Sequence, residues 1–374
     1  MSRSPLLVAF ATLLGLGIVS GPALATPRYS LEAGQNCTLC HQNPSGGGMR
    51  SAYATQYLIP ERFALRAPAR LPDPQIGADL SVGADARTFF LWQEDRTSGG
   101  DFVQMAASVY GWFQLGDRAG GYANLEFGQG ESYAAEIFGV AWVLPGAGYV
   151  KAGRFVPAFG WRVPDHRAFV RREFTWLPPF PPHSDTGLEI GFHPKRFQIQ
   201  ASLTNGEYRL ARDGNDELAF TARGAWLPTF GSVHVTVGGS WHQNRGVVED
   251  RYAGGGFAGA SWRRVTWLGE FDWSRSEPAP PDRIRNRFTV SQELAIRIVQ
   301  GVHALGSYDF HDPDLDVAGG ALHRIGVGAE ALLTPFVQVR AKLNAFRVDD
   351  GPDALRLGLR NDFLQSEFEV HWLY

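Results

Sequence analysis

The chain has 374 residues and a formal net charge of −3. That balance excludes a general electrostatic attraction to nucleic acid. Its 44 glycines and 13% aromatic content suit strands and tight turns better than helical bundles, and the length suits one large β domain with a small added unit.

Residues 1–25 read as a secretory signal peptide. Arg3 gives a positive start, Leu6 to Val19 is an apolar run, and Ala23-Leu24-Ala25 is an A-x-A cleavage site. The run is short and a cleavage site follows it, so a membrane anchor is the weaker reading. Beyond it no stretch is apolar for about 18 residues, so no transmembrane helix is expected.

Residues 26–75 form a first unit around Cys37-Thr38-Leu39-Cys40-His41. C-x-x-C-H is the spacing of covalent c-type haem attachment. Two thiols add to the two vinyl groups of one porphyrin, and the next residue offers an imidazole to the iron. These are the only 2 cysteines in the chain. A structural zinc needs four ligands, and this segment offers three. A thioredoxin-type redox pair wants a βαβ context that is absent. Haem attachment outside the cytoplasm agrees with an exported chain. After the motif, Asn43-Pro44 and Gly46-Gly47-Gly48 read as turns, Ser51–Leu58 as a short helix, and the proline-rich stretch from Ala67 to Pro74 as a linker. About fifty residues bury little core alone, so the unit is expected to lean on something larger.

From Ile76 to Tyr374 the alternation has period two. Val233, Val235, Val237 and Trp241 alternate with His234, Thr236, Ser240 and His242. Leu294, Ile296 and Ile298 alternate with charged or small neighbours, as do Val337, Val339, Ala341 and Leu343. Short connections recur near residues 116–121, 145–148, 194–196, 228–231, 262–265, 299–301 and 333–335. Longer ones fall between them, near 92–101, 156–185, 205–216, 244–252, 275–286, 311–321 and 347–353. Such a rhythm is that of an outer-membrane barrel with short periplasmic turns and long external loops. The fold expected is all-β, a transmembrane barrel of about sixteen antiparallel strands over residues 76–374, preceded by the small c-type haem unit. Phe368, Val370, Trp372 and Tyr374 alternate to an aromatic C-terminus, similar to the signal that outer-membrane assembly machinery reads. Trp226, Trp241, Trp262, Trp267 and Trp372 suit interfacial girdles.

The register places His193, His234, His303 and His371 on the inner face near the periplasmic rim, where the haem unit is tethered. These four and Met49 are the candidates for a sixth iron ligand, although a polar lumen residue is the default reading of any one of them. The loop from Arg154 to Asp185 is rich in proline, arginine and aromatics, and is expected to fold into or over the barrel mouth. Asp165, His166, His183 and Asp185 could meet a metal there, against the plainer reading of a rigid cover held by ion pairs. Acidic patches at Asp312–Asp316 and Asp349-Asp350 read first as solvated loop charge.

The layout resembles the fused cytochrome–porins of iron-oxidising bacteria. The resemblance is carried by Pro27, Tyr29-Ser30, Gly34, Cys37, Cys40, His41, Gly48 and Arg50, while the segment Asn43–Gly48 departs from that family's pattern. It implies one haem c attached at Cys37 and Cys40, with His41 as axial ligand. It also implies an outer-membrane electron conduit between an extracellular donor or acceptor, iron among them, and a periplasmic carrier. A solute-transporting porin with a haem sensor or docking unit is the alternative, and an enzyme acting at a five-coordinate haem is a third. No nucleophile–base pair of a hydrolase is visible.

Overall fold

The computed structural model describes residues 27–94, 100–128, 131–163, 168–170, 184–206, 214–246, 249–278, 283–349 and 362–374. The expected signal peptide lies outside the described residues.

Sixteen long strands make the fold: β1 (Leu80–Gln93), β2 (Gly100–Gln114), β3 (Ala119–Gly128), β4 (Glu131–Leu144), β5 (Gly148–Phe155), β6 (Asp185–Phe192), β7 (Phe197–Thr204), β8 (Ala219–Trp226), β9 (Val233–Arg245), β10 (Glu249–Trp262), β11 (Val265–Pro278), β12 (Arg285–Val299), β13 (Val302–Asp312), β14 (Leu322–Thr334), β15 (Val337–Val348) and β16 (Phe363–Leu373). Each pairs antiparallel with its sequence neighbour, and β16 pairs with β1, so the sheet closes and keeps no free edge. Closure satisfies every ladder hydrogen bond internally, which a bilayer demands. Two-residue strands at Gln75–Ile76 and Thr229–Phe230 lie beside β1 and β9.

Alternation sets what faces where. In β7, Phe197, Ile199 and Leu203 are exposed outside, while Gln198, Gln200, Ser202 and Thr204 are buried inside. In β16, Leu364, Phe368 and Trp372 face out, and Glu367, Glu369 and His371 face in. Trp226, Trp241, Trp262 and Trp267 are also exposed on the outer face. This barrel is apolar outside and polar inside, the reverse of a water-soluble domain. Among the described residues no helix is long and apolar enough to cross a membrane, and the strands do the crossing.

Short turns gather at one end, at residues 145–147, 263–264, 300–301 and 335–336, and the long loops lie at the other. Ala147, Lys195 and Arg263 take left-handed backbone there, with φ of 54°, 51° and 55°, the conformation a two-residue hairpin requires. One connection departs from the expected rhythm. Residues 119–144 read as a single stretch in sequence, but they hold two strands, β3 and β4, paired antiparallel.

The N-terminal unit sits inside this cylinder. Helix α1 (Pro27–Ala33) packs on β9, β10 and β11. Helix α2 is Cys37–Cys40. A π-helical turn at Ala54–Leu58 runs into α3 (Ile59–Arg62). The helix expected over Ser51–Leu58 therefore runs on to Arg62, past Pro60.

Candidate functional site

One short turn carries the chemical groups of the motif. Asn36 caps α2 in extended conformation and its Oδ1 accepts from Thr38 Oγ1 at 2.6 Å. The single turn sets Cys37 and Cys40 three residues apart, on one helical face, and both thiols are free. His41 leaves the helix and forms a β-bridge with Arg50. The hairpin between them is closed by Gln42 N to Met49 O at 3.0 Å and Ser51 N to Cys40 O at 2.8 Å. Inside it, the Asn43 side-chain oxygen accepts from Ser45 N and Ser45 Oγ, at 3.2 and 2.9 Å. His41 Nδ1 lies 3.3 Å from Gly48 O. Donating there leaves Nε2 as the bare, ligating nitrogen. Burial, then the Arg50 charge, pushes the His41 pKa down to about 4, so the ring is a neutral donor. Burial, then Cys37, pushes the Cys40 thiol up to about 11. Two unpaired thiols and an imidazole on one turn are a donor set fit for the vinyl groups and iron of a porphyrin.

The barrel wall grips this unit near its short-turn end. Fully buried Arg28 pairs with Glu293 at 2.7 Å and with Glu330. Burial alone would lower its pKa, but those two carboxylates outweigh it and the guanidinium stays charged. Tyr29 Oη donates to Glu330 at 2.8 Å, and Arg340 Nη2 reaches the same carboxylate at 2.7 Å. Arg50 Nη1 donates to Pro335 O at 2.8 Å. Leu65 N and Arg66 N donate to Leu332 O and Leu333 O at 2.8 and 3.1 Å. Opposite, Lys151 Nζ lies 2.7 Å from both Ser45 Oγ and Glu189, and Met49 N donates to Tyr122 Oη at 3.1 Å. Two plug glycines fit the wall closely. A Cβ on Gly34 would stand 2.5 Å from the His234 ring, and one on Gly48 would stand 2.0 Å from Tyr122 Oη. Both have φ of +65°, where only glycine is relaxed.

Residues 156–163, the described start of the connection after β5, fold inward onto the plug. Trp161 N donates to Glu270 at 2.8 Å and its indole N–H to Gly269 O at 3.0 Å. Its ring packs in a cluster with Leu31 of the plug and Phe257 of β10. Arg162 reaches Glu136 at 3.1 Å, and Arg223 Nε donates to Gly160 O at 2.9 Å.

Each expected ligand has a definite place. Met49 is buried among Tyr110, Trp112, Tyr122 and Phe138. His234 Nδ1 lies 3.1 Å from Thr229 Oγ1. His303 Nε2 faces Glu32 at 3.1 Å, with the ring edge-on to Tyr29. His371 is bracketed by Arg87 Nε at 3.3 Å and Gln338 Oε1 at 3.2 Å. His193 is buried edge-on to Tyr149, with ring centroids 5.5 Å apart. Burial, then Arg223 and Lys151, lowers its pKa to about 4. Asp165, His166 and His183 lie outside the described residues. Asp185 accepts from Thr186 N and Gly206 N at 2.7 and 2.6 Å, holding a loop together. Among the described residues no three His, Cys, Asp or Glu gather around a metal position. In the acidic patch Asp314 pairs with Arg283, and Asp316 accepts from Asn286 at 3.2 Å.

The residues that anchor the plug were not legible as anchors. Arg28, Lys151, Arg223, Glu293 and Glu330 read in sequence only as charges. For the strand residues, an inner-face register near a short turn is the one available signal.

No family model matches the chain, and no curated protein matches it. Solved structures do. OmpT of Vibrio cholerae has a TM-score of 0.56 at 10% identity, covering 81% of this chain and 100% of that one. OprB of Pseudomonas putida has a TM-score of 0.60 at 9% identity, covering 79% and 94%. An anion-selective porin from Comamonas acidovorans has a TM-score of 0.55 at 10% identity, covering 79% and 100%. At such identities the likeness is one of fold. The chain is a porin-like, sixteen-stranded outer-membrane barrel, and its apolar outer face places it in the lipid of the bacterial outer membrane. About a fifth of the chain lies outside each likeness.

Proposed function

We propose that this protein is an electron conduit of the outer membrane, a c-type cytochrome unit fused to a barrel that holds it in the lumen. The observation that carries the reading is the place of Cys37-Thr38-Leu39-Cys40-His41, folded inside the barrel between the wall and the inward loop. Cys37 and Cys40 would hold one haem c through thioether bonds, and His41 Nε2 would face its iron. When bound, the haem supplies one-electron exchange. The chain's own contribution is to fix this unit across the lumen, with Arg28 and Arg50 tying it to β12, β14 and the turn at Pro335. The partners on this reading are a periplasmic electron carrier and an extracellular redox partner, with iron the ion that the family resemblance suggests.

A second reading, a solute porin carrying a haem sensor or docking unit, is favoured by one observation: a solved structure of similar fold is described as an anion-selective porin. Reconstitution in liposomes separates the two. Oxidation of an internal reduced dye by an external acceptor, without leakage of small solutes, is the outcome expected of the conduit. Sugar-driven liposome swelling with no dye oxidation would overturn it.

A further inference from the structure

We infer that His193, reaching in from the barrel wall, supplies the second axial nitrogen to the haem carried by Cys37, Cys40 and His41. This rests on the haem reading above and assigns one residue among the five candidates. It also makes the barrel wall part of the redox centre.

Four candidates are committed elsewhere. The β-bridge pairs His41 with Arg50 and Gln42 with Met49. Successive residues of a paired strand point to opposite faces, so Met49 points away from the His41 side and into its aromatic cluster. His234 bonds Thr229, and its ring lies against Gly34. His371 has a polar partner at each ring nitrogen. His303 Nε2 is held by Glu32; its Nδ1 has no partner among the described residues, so it is the competitor the test must include.

His193 differs in three ways. Its Nε2 is buried and has no hydrogen-bond partner among the described residues. A buried polar atom left so is costly and calls for an explanation such as an ion. Next, Gln200 accepts from Arg223 Nη1 at 3.3 Å and donates to Tyr149 Oη at 3.4 Å. Arg223 holds Gly160 of the inward segment whose Arg162 reaches Ser45, so the ring beside His193 is tied to the same segment that meets the haem unit. Finally, the ring is positioned by a chain of contacts that begins in the plug. Ser45, whose neighbour Gly46 borders Cys37, meets Lys151. Lys151 pairs with Glu189, Glu189 accepts from Tyr149 Oη at 2.7 Å, and Tyr149 is the ring beside His193. Metal-binding imidazoles are oriented by such outer partners.

The test uses the full-length, haem-loaded protein purified in detergent. Absorption and electron paramagnetic resonance spectra report the spin state, and carbon monoxide binding to the ferrous form reports an open iron site. The wild type should be low-spin and refuse carbon monoxide. His193→Ala should become high-spin and bind it, and added imidazole should restore the low-spin spectrum. That rescue requires a folded barrel, so it separates ligand loss from misfolding. A low-spin His193→Ala overturns the assignment, as does a high-spin wild type. A low-spin state lost in His303→Ala or Met49→Leu, but kept in His193→Ala, overturns it in favour of that residue. Purified protein with no covalently bound haem would instead refute the reading on which this inference stands.

Discussion

The plug meets the barrel on two unlike faces. Along β2–β5 the contact is mainly aromatic, with Lys151 and Glu136 as polar exceptions: Met49 lies in a cluster of Tyr110, Trp112, Tyr122, Phe138 and Tyr149. Along β12–β14 it is ionic: Arg28, Tyr29 and Glu32 meet Glu293, His303, Arg297 and Glu330. The aromatic face excludes water and tolerates small shifts, because dispersion is spread over many atoms. The ionic face admits one arrangement, since releasing either partner leaves a charge buried without its counter-charge. Packing therefore seats the plug, and the charges set its orientation.

Breaking the ionic face should have the largest effect. Glu330→Ala leaves Arg28 buried and short of its shared carboxylate, and removal of one partner of a buried pair costs about 3–5 kcal/mol. Hydrogen exchange of the amides in residues 27–35 should accelerate by at least a hundredfold. Exchange as slow as in the wild type would show that the pair does not hold the plug. On the aromatic face Met49→Ala should cost about 2–3 kcal/mol, read as faster exchange in residues 41–50 with residues 27–35 little changed. If both segments loosen together in either variant, the two faces are a single cooperative unit and the comparison fails.

Removing the thiols asks whether the plug stands without its proposed cofactor. Cys37→Ala with Cys40→Ala should abolish covalent haem on a stained gel, while the barrel keeps its heat-dependent gel mobility, because the strand ladders do not involve the cysteines. Tyr122→Phe deletes only the acceptor for Met49 N and should cost about 1 kcal/mol, seen as roughly fivefold faster exchange at Met49. Arg245→Ala breaks an exposed pair with Glu217 at 3.8 Å. It should leave both segments and the thermal midpoint unchanged, and so serves as the control.

The sequence by itself determined the barrel. Period-two alternation, the spacing of turns and the aromatic C-terminal strand are local features, and local geometry dictates which side of a strand each residue faces. Leu294, Ile296 and Ile298 are exposed on the outer face as their alternation requires. It also determined the chemical character of residues 37–41, because one turn of chain holds every group of the motif. The division of residues 119–144 into β3 and β4 is not legible in sequence, since no marked loop composition separates the two strands. Only the tertiary structure decided that the N-terminal unit lies within the lumen, and which inner-face groups meet it. Arg28 and Glu330 stand 302 residues apart in the chain, and nothing in either neighbourhood encodes the other. His193 and His371 are equivalent as inner-face histidines near the rim. What separates them is that Arg87 and Gln338 stand opposite the two ring nitrogens of His371, while Nε2 of His193 has no partner among the described residues, and closure of the cylinder settles that.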